Sequence, residues 1–111
     1  MKYMLLVCPD PSIEVSPEDA DPRPWDQEMD RRGFTIMRSR LKPADATTSV
    51  SVREGELTVT DGPFAESKEV FAGFCIIECA DLEEAIKLAA EHPVAKFGAV
   101  DIRPFWPFDE D

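Results

Sequence analysis

Histidine is almost missing from this chain: His92 is the only one in 111 residues. Cysteine offers little more, with Cys8, Cys75 and Cys79 and no Cys-x-x-Cys spacing. Zinc-site patterns therefore lack ligands, and no metal or other cofactor is expected. All three cysteines lie in or at the end of apolar runs and read as small buried thiols. Positive charge is also scarce, with 12 Lys and Arg against 23 Asp and Glu and a net charge of -11. Such a surface repels a phosphate backbone, and no basic stripe with interleaved aromatics is present, which excludes nucleic acid as a partner. Anionic membrane surfaces are disfavoured for the same reason. The longest apolar run, Val70 to Cys79, is too short to span a bilayer. The opening run, Lys2 to Cys8, is too short for a signal-peptide core with its cleavage site, so the expected location is the cytoplasm. No Gly-rich phosphate loop, Ser-His-Asp set or flavin motif is visible.

What is present reads as one globular domain over residues 1–111, with 43% hydrophobic and 32% charged residues. Lys2 to Cys8 is a first strand, apolar on both faces. Asp10 to Pro24 carries four prolines, Pro11, Pro17, Pro22 and Pro24, and is a loop with a turn of helix near Ser16-Pro17-Glu18-Asp19. A short helix follows, from Pro24 or Trp25 to Arg32, with Trp25 and Met29 on one face and Gly33 as its stop. Phe34 to Leu41 is a second strand. Thr47 to Arg53 and Glu56 to Thr60 form a hairpin around Glu54-Gly55. Val70 to Cys79 is the most buried strand. Asp81 caps a helix to which Glu84 reaches back, with Leu82, Ala85, Ile86 and Ala89 as its apolar face, and His92-Pro93 closes it. Gly98 to Arg103 is the last strand, before an aromatic tail of Phe105, Trp106 and Phe108. Two βαβ halves with a hairpin between them describe a ferredoxin-like α+β fold, a βαββαβ core with an inserted β-hairpin. Helices cover one face of such a sheet only, so a second copy of the chain is expected to cover the other, giving a homodimer.

The stretch Thr60-Asp61-Gly62-Pro63-Phe64-Ala65-Glu66-Ser67-Lys68-Glu69 joins the hairpin to the central strand. Asp61-Gly62-Pro63 is strong turn chemistry, and Gly62 is expected to adopt positive φ. Asp61 either caps this turn or orients a ligand, and Lys68 either lines a site mouth or is solvated. His92 is the one group titrating near neutrality, hence either an acid/base residue or a helix cap. Arg103 can clamp a carboxylate or pair with neighbouring acids. Tyr3 offers a hydroxyl from the first strand or simply packs. Asp61 and His92 are expected on opposite sides of one pocket, because the second helix returns antiparallel toward the level of the turn.

These residues, with Lys2-Tyr3-Met4-Leu5-Leu6, Gly73-Phe74, Ala80-Asp81-Leu82-Glu83-Glu84-Ala85, His92-Pro93, Gly98 and Val100-Asp101-Ile102-Arg103-Pro104, give the chain a resemblance to the YCII-related, or DGPF-domain, family. The resemblance implies a ferredoxin-like domain that dimerises into an α/β barrel, and an association with extracytoplasmic-function sigma factors. In the YCII branch it implies a His–Asp pair in a cleft, whose histidine belongs to the first helix. Here that helix has no histidine, and His92 stands where that branch has the aspartate of an Asp-Pro step. Two functions follow. One is a small-molecule-binding or regulatory dimer, with a small organic ligand. The other is a cofactor-free lyase or isomerase on a small aromatic or oxygenated substrate, with His92 as acid/base and Asp61 and Arg103 positioning.

Overall fold

The computed structural model describes residues 1–62 and 71–110. Pro63 to Val70, which includes Lys68, and Asp111 lie outside the described residues. The chain runs β1 (Lys2–Pro9), α1 (Pro17–Ala20), α2 (Arg23–Arg31), β2 (Thr35–Arg40), β3 (Thr48–Arg53), β4 (Glu56–Asp61), β5 (Gly73–Glu78), α3 (Leu82–Ala90) and β6 (Gly98–Pro104). Four strands form one sheet in the order β2-β5-β1-β6, with every neighbour antiparallel. This is an α+β arrangement compatible with a ferredoxin-like fold. Among the described residues β3 and β4 pair only with each other, as a separate two-stranded ribbon.

Local chemistry sets the elements. Ser16 accepts from the Asp19 N–H to start α1. The end of α2 is a Schellman closure: Phe34 N–H donates to Met29 O, Gly33 N–H to Asp30 O, and Gly33 sits at φ +79°. Asp81 accepts from Glu84 N–H at 2.9 Å while the Glu84 carboxylate accepts from Ala80 N–H, so a reciprocal cap opens α3.

β1 and β5 lie at the centre of the sheet and supply Tyr3, Leu5, Cys75 and Ile77 to a core shared with Trp25 and Met29 of α2. Burying each large apolar side chain of this kind contributes about 1.5–3 kcal/mol. The buried stripe of α3 differs from the expected one. Ala85, Leu88 and Ala89 face the sheet, whereas Leu82 and Ile86 are exposed. Two alanines let the helix lie close to the sheet, which narrows the covered stripe to positions 85, 88 and 89, and its next step is 92. His92 thus continues the buried face.

Pairing also fixes which residues lie away from the helices. Tyr3, Leu5, Cys75 and Ile77 point into the core, so Met4, Leu6, Phe74 and Ile76 belong to the opposite face, joined by Met37 and Arg103 through register. β2 contains a bulge between Thr35 and Met37. The extra residue reverses the alternation, so that Arg38, opposite Cys75, and Arg40, opposite Gly73, sit on the helix side.

Candidate functional site

A cavity of about 920 Å³ opens between the sheet, α1 and α2, and the segment after α3. Its walls are mostly apolar, from Leu5, Val7, Trp25, Leu41, Val94 and Phe97, with Asp26, Arg38, Arg40, Cys75 and His92 as polar insertions. That size and mixture suit a small organic ligand.

His92 reaches this wall because α3 ends at Ala90, capped by Glu91, and a 3-10 turn, Pro93–Lys96, begins at once. The His92 backbone N–H donates to Ala89 O at 3.1 Å, but its side chain does not bond the last carbonyls of α3. It caps the following turn: its Nδ1 accepts from Val94 N–H at 3.1 Å. The ring is 3% exposed and meets Trp25 edge-on with centroids 4.8 Å apart. Trp25 is held in turn by its indole N–H, which donates to Leu88 O at 3.0 Å. Burial pushes the His92 pKa down to about 4, so the imidazole is neutral at pH 7. With Nδ1 acting as acceptor, the proton resides on Nε2. Among the described residues Nε2 has no hydrogen-bond partner, and His92 lines the cavity, which leaves its N–H available as a donor there.

The charged groups come from α2 and β2. Arg38 Nη2 donates to Asp30 Oδ2 at 2.7 Å, its Nη1 bonds the other Asp30 oxygen, and its Nε lies 3.5 Å from Asp26 Oδ2. The bond to Arg38 holds the Asp30 pKa below the usual range. Asp26 shifts the other way: burial raises its pKa, and the nearby Arg38 only partly offsets this. Burial also pushes the Cys75 thiol up to about 11, so it is no thiolate at neutral pH. Asp21 holds Arg23 at the rim through three hydrogen bonds from its guanidinium.

Of the residues singled out from sequence, the cavity takes in His92. Asp61 ends the ribbon, is exposed, and is not among the walls. Tyr3 is on the helix side but buried in the core, its hydroxyl 3.7 Å from Met1 Sδ. Arg103 pairs in register with Met4 and therefore lies on the helix-free face. Lys68 is outside the described residues. Sequence reasoning missed Asp26, Arg38 and Arg40, while Cys75, read as a small buried thiol, is one. Asp26 carried one signal, a carboxylate next to the buried Trp25. Arg38 and Arg40 carried none, since strict alternation of β2 groups them with Ile36 rather than Thr35. Among the described residues no cluster of His, Cys, Asp and Glu could hold a metal ion, and no helix is long and apolar enough to cross a membrane.

Asp26, on the first long helix, and His92, after the second, both line this cavity. The profile of the YCII-related domain matches residues 1–109. An uncharacterized protein of Rhizobium meliloti (strain 1021) is 41% identical over 68 residues, which are 60% of this chain and 55% of that relative. The match thus spans about half the relative's length.

Proposed function

The chain belongs to the YCII-related domain family, and from that premise we propose that it is a small-molecule-binding protein whose ligand occupies the cavity between α2 and the sheet. The cavity itself carries this reading: apolar walls around a few convergent polar groups are what a small organic ligand needs. The chemistry of His92 favours binding over proton abstraction. A neutral ring whose Nδ1 is already engaged offers a donor, not a base, to whatever lies in the cavity. Titration of isotope-labelled protein with small phenols and organic acids tests the proposal by NMR. Saturable shifts at Trp25, Val94 and Phe97 are expected, with β3 and β4 unmoved. A panel that shifts nothing, or only the ribbon, refutes it.

One observation favours a second reading, a lyase or isomerase. Asp26 combines a raised pKa with a place in the same cavity as the His92 donor, a combination suited to moving a proton next to a polarised oxygen. His92 Nε2–H then polarises the oxygen by hydrogen bonding, keeping its proton, while Asp26 takes up the substrate proton and returns it. Asp26→Asn should abolish turnover of a bound compound while leaving its affinity within a few-fold; equal turnover removes this reading.

The helix-free face supports a homodimer, packed sheet to sheet as a ferredoxin-like α/β barrel. Met4, Leu6, Phe74 and Ile76 are only half-buried there, Met37 is exposed, and Trp106 of the tail is 79% exposed. Such surfaces bury well across a twofold.

A further inference from the structure

Three arginines contribute to the cavity, and their pairing is unequal. Arg23 is occupied by Asp21, and Arg38 by Asp30 and Asp26. Arg40 makes no ion pair and its guanidinium makes no hydrogen bond among the described residues. The bulge in β2 aims it to the cavity side, opposite Gly73, where the partner strand has no side chain to crowd it. An unpaired cation thus stands on a cavity wall of a chain whose net charge is -11. Apolar side chains, including Trp25 and Phe97, form much of the remaining wall.

From this distribution we infer that the ligand is a small organic acid, with an apolar, ring-bearing body against Trp25 and Phe97 and a single carboxylate held by Arg40. This rests on the cavity reading above and narrows it. One guanidinium matches a carboxylate in bidentate fashion. A phosphate dianion fits less well, because Asp21 and Asp26 lie on the same walls and no Gly-rich loop supplies backbone donors.

The test is calorimetric, with p-coumarate, its uncharged amide and p-cresol as probes of the intact chain. The acid should bind about tenfold tighter than the amide, the gap expected of one charge-assisted contact. Arg40→Gln should erase that gap by weakening the acid alone, and Arg40→Lys should restore part of it. Arg40 is exposed at a strand end, so these variants are expected to fold. Equal affinity of acid and amide for the wild type overturns the inference, as does equal weakening of both by Arg40→Gln. Leu41→Trp, placed at the exposed rim, separates the two readings. If p-cresol binds and Leu41→Trp blocks it while the acid gains nothing over the amide, the cavity stands and the carboxylate assignment falls. If none of the three probes binds, both fall.

Discussion

His92 shows how one ring can serve structure and site together, and its burial has a pH signature. Its folded pKa of about 4 lies below the ordinary 6.5. Between those values the unfolded chain takes up a proton that the folded chain refuses, so stability falls as pH drops through that window and levels off below it. The full effect is on the order of 3 kcal/mol. His92→Asn keeps an oxygen to accept from Val94 N–H but removes the titrating ring. Its urea midpoint should therefore fall less than that of the wild type between pH 6.5 and 4. An unchanged slope would mean that the ring titrates in the open. Gly62 makes a second case at this scale. Its φ of +99° is the conformation its sequence context called for, between an aspartate and a φ-restricted proline. Among the described residues nothing lies within 4 Å of where a Cβ would sit, so Gly62→Val should cost backbone strain of ~1 kcal/mol or more in a denaturant melt.

At the scale of elements, what could be read from sequence divides by where the cause lies. The reciprocal cap of Asp81 and Glu84, the glycine stop after α2, and the shared face of Trp25 and Met29 are all fixed within a few residues of chain. Each is legible in the sequence for that reason. Asp81→Ala should cost about 1 kcal/mol, since it orphans the Glu84 N–H. The site was less legible because its parts meet through register. No local pattern marks Ile36 as a bulge, yet that one residue decides whether Arg38 and Arg40 face the cavity or the opposite side. The stripe of α3 was misjudged on similar grounds: hydrophobicity favoured Ile86, whereas the approach of helix to sheet selected Leu88 and, beyond it, His92. Strand contact has a hard limit at the edge of the sheet as well. A Cβ on Gly98 would lie 2.8 Å from Pro9 Cα and within 3 Å of Asp10 N. Gly98→Ala should therefore force β6 away from β1 and cost about 1–3 kcal/mol, visible as a lowered melting temperature. Wild-type stability in that variant would mean that the strand end is free to move.

The whole molecule measures 48 × 43 × 18 Å, a slab with helices on one side of its sheet. If a second copy covers the other side, as proposed, sedimentation at micromolar concentration should give about twice the 12.4 kDa chain mass. A clean monomer would leave the exposed Met37 and its neighbours on that face without a cover. The ribbon raises the same question more sharply. Val50 opposite Val59 and Val52 opposite Leu57 put four apolar side chains on one of its faces, all of them exposed. Two strands alone are marginally stable in water. The ribbon's ladder therefore opens at low free energy unless something packs on it, and hydrogen exchange reads this directly. In a dilute sample the β3 and β4 amides should exchange orders of magnitude faster than those of β1 and β5. If the dimer's contacts reach the ribbon, raising the concentration slows those amides selectively, and each becomes a local clock for how long the two chains stay together.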